Sequence, residues 1–278
     1  MAKSKNINSI FNKIKGNAKA REKLLSSLRS IECYMSELDF NTREEIIGPI
    51  MNLIFRKDEK LECKLKNGLK YKFIYTSNIA RDLLLNIDTN PDHIWEPQTT
   101  KLLLILSKNV KNIIIGGAYG GDQALILAYS LRKKHSVIHC FEPNKIHFEC
   151  LKLNLQNYSN VKLHNQAVGN QDGMVTLTKE SATQNTRVLL EQGDIKINKL
   201  DSMEIDDIDM LKIDVEGLEM EVLKGASDKL EKIEYLMIEL NNNSKRYGSN
   251  NIEIEEYLKS LGFKELIKTW PDIVYYKS

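Results

Sequence analysis

Residues 110–122 read VKNIIIGGAYGGD, a short apolar run followed by four glycines within six positions. An apolar run of this length is typical of a strand buried on both faces, and residues 124–131 have the composition of a helix. Glycines between a strand and a helix let the backbone turn sharply beside a ligand, where the helix N-terminus offers free N–H groups. The stretch therefore predicts the first strand, turn and helix of an α/β domain with a ligand site. A tight turn without a ligand is the alternative.

Apolar runs and helical patterns alternate from residue 110 onward. The predicted strands are 136–141, 161–168, 174–177, 210–215 and 234–240, and the predicted helices are 145–155, 218–223 and 252–261. Buried strands that alternate with helices form a parallel sheet covered on both faces. Two final runs, 263–267 and 273–276, are too close for a helical crossover and must pair antiparallel. The pattern predicts an α/β fold, a Rossmann-like doubly wound, mostly parallel sheet with an antiparallel C-terminal strand pair.

The residues before this domain show a different pattern. Apolar positions recur at helical spacing from 3 to 56, and two alternating runs then flank Asn67-Gly68. An Asn-Gly pair between alternating runs predicts a β-hairpin in which both turn residues have positive φ. We expect residues 1–90 to form a helical and β-hairpin extension that acts as a cap or a dimerisation region, and residues 91–278 to form the α/β domain.

The composition limits the classes of function. The 278 residues carry 40 basic and 38 acidic side chains, a formal net charge of +2, which argues against a nucleic-acid-binding protein. Basic residues are concentrated in the first 25 positions, where a solvated helical face is favoured over a patch for phosphate or membrane. No segment is apolar enough to span a membrane or resembles a secretory signal. Four scattered cysteines predict reduced thiols in a cytoplasmic protein rather than a zinc site.

Polar residues at the ends of the predicted strands are the candidates for a ligand site, because doubly wound sheets bind ligands at the carboxyl ends of their strands. Glu142 follows the second strand, 25 residues after Gly117, where a carboxylate commonly holds the two hydroxyls of a ribose. A helix N-terminal Glu is the alternative. Gln166 follows the third strand, and its side chain either hydrogen-bonds an adenine edge or acts as a capping or turn residue. Together these residues predict a cofactor that contains a nucleoside.

The predicted strand 210–215 ends in the most specific motif of the sequence, LKIDVEG at residues 211–217. Two carboxylates at the mouth of a buried strand are costly to desolvate and are seldom there for stability alone. Asp214 is predicted to act as a general base or to position a hydroxyl nucleophile. For Glu216 and Glu219, capping of the following helix is the alternative role.

Further short motifs accompany these strand ends. They are Phe141-Glu142-Pro143, Asn165 with Ala167-Val168-Gly169, Lys199-Leu200-Asp201, Glu219 with Val222-Leu223 and Gly225, and Ile238-Glu239. With the glycine loop and the LKIDVEG motif, they make the sequence resemble the FkbM methyltransferase family over about residues 110–263. The resemblance implies a class I methyltransferase fold that binds S-adenosylmethionine and usually methylates a hydroxyl of a sugar or a natural product.

The resemblance also implies roles for individual residues. Such enzymes commonly place an acidic residue at the position of Ile115, so we expect the methionine amino group to contact Glu96 or Asp122 instead. Gly117 and Gly121 are expected beside the methionine portion. The full set of predicted cofactor-binding residues is Glu96, Gly117, Ala118, Tyr119, Gly121, Asp122, Glu142, Pro143, Gln166, Ala167 and Asp214.

Asp214, expected near the transferred methyl group, is the predicted catalytic residue. His164 and His93 are alternative bases, although a lone histidine is more often structural or solvated. No residue is assigned as a metal ligand. Asp201 and Glu239 add carboxylates that, with Asp214, are able to bind Mg²⁺, but the spacing alone does not establish such a site.

The predicted activity is S-adenosylmethionine-dependent O-methylation of a hydroxyl on a sugar, a nucleotide-sugar or a surface-polysaccharide precursor. The alternatives are another small-molecule or phosphorylated acceptor, and a non-catalytic cofactor-binding partner protein, which Ile115 keeps open. An NAD-dependent oxidoreductase would require GxGxxG spacing, which Gly117 to Gly121 does not supply. We expect no nucleic-acid partner and no membrane span. A homodimer formed through the N-terminal region is a further expectation.

Overall fold

The structure, a computed structural model, describes residues 7–35, 41–85, 94–178, 187–269 and 271–277. The chain forms two compact units, residues 1–92 and 93–278, named the N-terminal unit and the C-terminal unit below. Within the described ranges, no helix is both long enough and apolar enough to cross a membrane. All residues predicted for the cofactor site lie in the C-terminal unit.

The helices of the N-terminal unit follow its apolar spacing. They are α1 (Ile7–Lys15), α2 (Ala18–Met35), α3 (Gly48–Ile54) and α4 (Asn78–Leu85), with a π-helical turn at Arg43–Ile47 directly before α3. Leu28 of α2 and Met51 of α3 are buried in one apolar cluster. Arg29 of α2 donates two hydrogen bonds to the carbonyl of Leu84 in α4, at 3.0 and 2.8 Å, which ties these helices together.

The predicted hairpin is present, formed by the antiparallel strands β1 (Lys60–Lys64) and β2 (Lys70–Ile74). The N–H of Gly68 donates to the carbonyl of Leu65 at 2.9 Å and closes the turn, and Gly68 has a φ of 86°. Asn67 does not have a positive φ; its side-chain oxygen accepts a backbone N–H within the turn. The expectation of positive φ at both residues is therefore wrong, because the loop is longer than the two-residue turn that requires it.

Eleven described strands make up two sheets of the C-terminal unit. They are β3 (Asn112–Gly116), β4 (Val137–Phe141), β5 (Val161–His164), β6 (Ala167–Val168), β7 (Gly173–Leu177), β8 (Val188–Leu189), β9 (Ile195–Asn198), β10 (Met210–Ile213), β11 (Tyr235–Glu239), β12 (Lys264–Thr269) and β13 (Asp272–Tyr276). The helices described with them are α5 (Pro97–Leu106), α6 (Asp122–Leu131), α7 (Lys145–Leu155), α8 (Glu219–Lys224) and α9 (Asn251–Ser260).

The main sheet has the order β12-β13-β11-β10-β3-β4-β5. Neighbouring strands from β11 to β5 are parallel, whereas β13 pairs antiparallel with both β11 and β12. The predicted fold class, a Rossmann-like and mostly parallel sheet with an antiparallel C-terminal strand pair, is confirmed.

The third predicted strand, residues 161–168, is divided between two sheets. Its last part, Ala167–Val168, forms β6, which belongs to a four-stranded sheet in the order β6-β9-β7-β8. Before β6, the side-chain amide of Asn165 donates to the carbonyl of Glu142 at 2.8 Å and holds the chain at a turn. Ala167 then packs in the apolar cluster of the smaller sheet. The prediction of one continuous strand is therefore wrong, and β8 and β9 have no counterpart among the predicted elements.

The order of the strands reverses between β3 and β10. From β3 the chain adds β4 and β5 on one side of the sheet, and β10 and β11 follow on the other side. All four residues of β10 are buried, although one of them is a lysine. In doubly wound sheets such a switch point opens a crevice at the carboxyl ends of the strands. The glycine loop after β3 and Asp214 after β10 flank this switch point.

Candidate active site

Backbone contacts join the loops that follow β3, β4 and β10. Asp214 donates its N–H to the carbonyl of Gly116 at 3.0 Å. Gly117 has a φ of 82°, and a Cβ built on it would lie 1.7 Å from the carbonyl oxygen of Asp214. The N–H groups of Gly117 and Ala118 both donate to the carbonyl of Phe141, at 3.1 and 2.9 Å. Glycine is required at 117, because both its φ and this close contact exclude a side chain.

Glu142, directly after β4, has a buried carboxylate with ordered partners. One oxygen accepts the N–H of Tyr119 at 2.9 Å, and the other accepts the N–H of Asn144 at 2.8 Å. His147 lies behind it, with Nδ1 3.8 Å from the Glu142 carboxylate and its ring against that of Tyr119. A carboxylate offers about four acceptor sites, so lone pairs remain for the hydroxyls of a ligand.

Non-glycine residues with left-handed backbone are concentrated around the switch point. Glu96, Tyr119 and Glu216 have φ values of 44°, 48° and 56°, and among the described residues only Asn242 joins them, in the loop after β11. A conformation of this kind costs of order 1–3 kcal/mol and persists where the surrounding structure determines it. Strain of this kind is typical of a functional site.

Lys212 is the one charged side chain of β10, and only 2% of it is exposed. Its Nζ donates to Asp214 at 3.1 Å. Burial alone would lower the pKa of Lys212, but the charges of Asp214, Asp272 and Glu96 raise it above its ordinary value. Burial likewise favours the neutral form of Asp214, but Lys212 outweighs it, and the pKa of Asp214 is lowered. Lys212 therefore remains positively charged inside the sheet, and its charge keeps Asp214 ionised.

Glu239, at the end of β11, is a neutral partner of Asp214. Burial and the charge of Asp214 raise the pKa of Glu239 to about 10, and the two carboxyl groups share a hydrogen bond. Glu239 is therefore protonated at neutral pH and donates to Asp214. Asp272 of β13 faces Glu239 across the strand pair and accepts a hydrogen bond from Thr99 of α5 at 2.5 Å.

Glu96 and Asp122, the residues expected near the methionine amino group, both lie close to Lys212. Burial raises the pKa of Glu96 to about 7 and that of Asp122 to about 6, and Lys212 limits both increases. The Glu96 carboxylate is held by Gln123, whose amide donates to it at 2.8 Å. The switch point thus collects more carboxylates than cations, which favours a cationic ligand.

Glu216 and Glu219 follow Asp214 and differ in surroundings. The Glu219 carboxylate accepts the N–H of Gly217 at 2.9 Å, just before α8, whose N-cap residue is Leu218. Glu216 is half-buried and accepts a hydrogen bond from the Asn243 amide at 3.0 Å. Burial is the main cause that raises the pKa of each carboxyl group to about 7.

Gln166, the residue predicted near the adenine, lies on the β4 and β6 side with Pro143 and Ala167, two other predicted cofactor-binding residues. The Gln166 amide is 8% exposed and donates to Asn198 at 3.3 Å. Ala167 begins β6 and is buried. The carbonyl of Pro143 accepts a hydrogen bond from Asn165 at 3.3 Å, so the loop after β4 is tied to the turn before β6.

Two other predicted residues, Asp201 and His164, are not brought to the switch point. Asp201 accepts hydrogen bonds from Ser227, Asp228 and Lys229 and so holds a turn rather than joining Asp214. Within the described ranges, no three metal-ligating side chains gather, and the Mg²⁺ interpretation gains no support. The ring of His164 stacks on Phe141 and lies 3.1 Å from a ring nitrogen of His139. His93, the other alternative base, lies outside the described residues.

The sequence analysis assigned no role to Lys212 or Asp272. A lysine within an otherwise apolar strand was a usable signal for Lys212, since a buried charge needs a partner. In register, Lys212 lies beside Ile115, the position at which the resemblance implied an acid. Asp272 had no such signal, because only the pairing of β11 with β13 brings it to the site.

The family model described as "Methyltransferase FkbM domain" matches residues 116–265, which include the glycine loop, Glu142, Asp214 and Glu239. The match spans more than half of the chain. This chain belongs to the FkbM methyltransferase family. No curated protein matches the sequence.

Several solved structures are similar to this FkbM methyltransferase. A methyltransferase FkbM from Methylobacillus flagellatus is 17% identical with a TM-score of 0.43, and the match covers 72% of this chain and 55% of that chain. A Geobacter sulfurreducens methyltransferase is 16% identical with a TM-score of 0.41, covering 66% and 80%. M. jannaschii TYW2 in complex with AdoMet is 15% identical with a TM-score of 0.39, covering 81% and 89%. The family assignment rests on the sequence match alone.

S-adenosylmethionine is the cofactor of this FkbM methyltransferase, and the nicotinamide alternative is thereby excluded. The polar groups of the switch point fit it. Its ribose is a diol, which suits the remaining lone pairs of Glu142. Its methionine portion carries an ammonium and a carboxylate, which suits a group of carboxylates around the buried cation of Lys212.

Proposed function

We propose that this methyltransferase transfers the methyl group to a hydroxyl of a sugar, a nucleotide-sugar or a surface-polysaccharide precursor. The observation that carries the proposal is that two carboxyl groups after β10, those of Asp214 and Glu216, have pKa values shifted in opposite directions. The pKa of Asp214 is lowered despite its burial, by the charge of Lys212, whereas burial raises the pKa of Glu216 to about 7. Neighbouring carboxyl groups whose pKa values are pushed apart are typical of acid–base sites. The saccharide class rests on the family resemblance.

The cofactor would be held along the switch point. S-adenosylmethionine supplies a methyl group on a positively charged sulfur. Glu142 would accept the ribose hydroxyls, and Glu96 and Asp122 would hold the ammonium. The remaining predicted residues would border it: the loop residues Gly117, Ala118, Tyr119 and Gly121 at the methionine portion, and Pro143, Gln166 and Ala167 at the adenine.

Asp214 and Glu216 would act on the acceptor in different ways. Lys212 and Glu239 hold the Asp214 carboxylate ionised and fixed, which suits it to orient the acceptor hydroxyl at the methyl group. Glu216 is partly exposed, and a carboxyl group with a pKa of about 7 is suited to accept the hydroxyl proton at neutral pH. In this proposal Asp214 positions the hydroxyl and Glu216 takes its proton.

Two other functions compete with this proposal. The first is methylation of another small molecule, including a phosphorylated one. The second is the role of a non-catalytic partner protein that only binds the cofactor. Ile115 supports the second, because it replaces an acid that related enzymes use. The carboxylates around Lys212 favour an intact site instead, since Glu96 and Asp122 supply negative charge from two other segments of the chain.

Calorimetry followed by an activity screen tests the proposal. We expect saturable binding of S-adenosylmethionine and S-adenosylhomocysteine to the full chain and no binding of NAD. Transfer of labelled methyl is then measured over nucleotide-activated sugars, with and without EDTA. Cofactor binding without transfer to any hydroxyl acceptor would favour the non-catalytic partner, and a loss of transfer in EDTA would restore the Mg²⁺ interpretation.

Substitution Glu216→Gln is expected to remove the neutral pH dependence of turnover. In the wild type, the base must be deprotonated, so kcat should rise with pH through about 7. Glutamine keeps an oxygen for the Asn243 amide but cannot take a proton, so kcat should fall by roughly 10²–10⁴-fold with a flat profile. The measurement is kcat against pH from 5.5 to 8.5, in steps of about half a unit.

The matched control is Glu219→Gln. The pKa of Glu219 is also raised to about 7, mainly by burial, but its carboxylate is engaged with the N–H of Gly217. Glutamine preserves that acceptor, so this variant should keep the wild-type pH profile. A Glu216→Gln profile that still rises through neutral pH would assign the proton transfer to another group.

Location and assembly also belong to the proposal. Cys63 and Cys140 are free thiols, which supports a cytoplasmic location, to be checked by cell fractionation. Ile7, Ile10 and Tyr34 of the N-terminal unit are exposed and apolar, which supports a homodimer through this unit. Light scattering of the full chain that gives the mass of one chain would contradict the dimer.

A further inference from the structure

Three segments of the C-terminal unit meet beside Glu216. The Tyr247 hydroxyl donates to the carbonyl of Val188 at the start of β8, at 2.6 Å. The Asn243 amide donates to Glu216 at 3.0 Å. A Cβ built on Gly217 would lie 2.8 Å from both the Asn243 carbonyl oxygen and the Tyr247 ring. The start of β8, the turn at 243–247 and the loop after β10 therefore form one contact region.

This region places two arginines at the rim of the site. Arg187 directly precedes Val188, and Arg246 directly precedes Tyr247. The charges of both guanidinium groups reach Glu216, where they oppose the increase in its pKa that burial causes. Both arginines thus approach the proposed proton acceptor, from two different segments of the chain.

Within the part of the chain that the structure describes, neither guanidinium group has a close partner that neutralises it. Among the described residues, none forms an ion pair within 4.0 Å or a side-chain hydrogen bond with Arg187 or Arg246. The Nε of Arg187 is buried, yet it has no hydrogen-bond partner there. A buried donor without a partner is unfavourable, so this group is poised for a ligand that supplies acceptor oxygens.

We propose that Arg187 and Arg246 form a subsite for a phosphate or diphosphate group of the methyl acceptor. This inference rests on the proposed function, because the subsite borders Glu216 and would hold the acceptor beside it. Guanidinium groups bind phosphate oxygens through paired, charge-assisted hydrogen bonds, and two of them from separate segments match a multiply charged group. The acceptor class is therefore a phosphorylated or nucleotide-activated sugar rather than a neutral saccharide.

Titration of inorganic pyrophosphate into the full chain, saturated with S-adenosylhomocysteine, tests the subsite. The comparison is between the wild type and the double variant Arg187→Gln/Arg246→Gln. We expect saturable binding to the wild type and at least a roughly tenfold weaker affinity in the double variant, since charged hydrogen bonds are removed. The control Lys162→Gln/Lys264→Gln removes the same charge from exposed positions of β5 and β12 and should bind as the wild type does.

Three results would overturn the subsite: no saturable pyrophosphate binding to the wild type, equal binding to the double variant, or equally tight binding of citrate, a carboxylate probe. Arg246→Gln alone provides a second test, because Arg246 is exposed and we expect its substitution to leave the fold intact; it should weaken binding at least threefold. S-adenosylhomocysteine affinity is measured in parallel. Failure of that binding in the wild type contradicts the proposed function, whereas intact cofactor binding with unaltered pyrophosphate binding contradicts the subsite alone.

Discussion

Substitution Gly117→Ala is expected to weaken cofactor binding severely. The added methyl group would lie 1.7 Å from the carbonyl oxygen of Asp214, and residue 117 has a φ of 82° that disfavours any side chain. The glycine loop and the loop after β10 must then separate, which displaces both sides of the switch point. We expect the affinity for S-adenosylhomocysteine, measured by calorimetry, to fall at least ~100-fold, or about 2.7 kcal/mol.

Gly262→Ala separates this contact from backbone strain. Gly262 lies in the turn after α9 with a φ of 87°, and a Cβ there would meet only the flexible Lys277 side chain, at 3.8 Å. Left-handed backbone alone costs roughly 1–2 kcal/mol of stability. Gly262→Ala should therefore be somewhat less stable but bind the cofactor normally. Equal loss of affinity in both variants would mean that strain, and not the contact with Asp214, governs binding.

Lys212→Met is expected to be the most destabilising single change in the C-terminal unit. Methionine fills a similar volume but leaves Asp214, with Glu96 and Asp272 nearby, without the buried cation. Removing one partner of a buried ion pair costs about 3–5 kcal/mol. The measurement is the free energy of unfolding in urea, with S-adenosylhomocysteine absent.

The control for this variant is Lys232→Met. Lys232 also pairs with an aspartate, Asp207, at 2.8 Å, but both side chains are mostly exposed, with 62% and 67% accessible. Exposed pairs of this kind contribute little, so its unfolding curve should match that of the wild type. A Lys212→Met protein as stable as Lys232→Met would show that the buried charge is dispensable.

The loss in free energy of unfolding caused by Lys212→Met should also depend on pH. A carboxyl group whose pKa is raised on folding binds more protons in the folded state, so stability falls as pH rises toward that pKa. Burial causes this effect at Glu96, with a pKa of about 7, and at Asp122, with a pKa of about 6, and Lys212 limits it in both. Without Lys212 the pKa values rise further. The gap from the wild type should therefore be larger at pH 8 than at pH 5.

The main sheet could be predicted because its central strands are buried on both faces and so form continuous apolar runs. The antiparallel pair followed from the short connection before β13. The division of residues 161–168 could not be predicted, because it depends on the amide of Asn165 binding a carbonyl after β4, which leaves no trace in hydrophobic periodicity. The strands β8 and β9, two and four residues long, carry too little pattern to be recognised.

Site residues that directly follow a strand could be predicted from the sequence. Partners that strand pairing or other segments bring to the site could not. Glu142 and Asp214 directly follow strands, so the rule for doubly wound sheets located them. Their environments come from other segments: Asp214 from Lys212 and Glu239, and Glu142 from the N–H groups of Tyr119 and Asn144. The contrast between Asp214 and Glu216 arises from these partners, and residue spacing alone does not reveal it.

The contact between Thr99 and Asp272 joins residues 173 positions apart. During synthesis, a chain that has emerged only through α9 contains the glycine loop, Lys212 and Asp214 but not β13. Asp272 cannot yet face Glu239, and the edge of β11 that β13 covers is open. Contacts over such long separations form slowly. The charge balance around Lys212 is therefore completed only after most of the sheet exists. A nascent chain thus forms its fold before the charged groups of its active site are all in place.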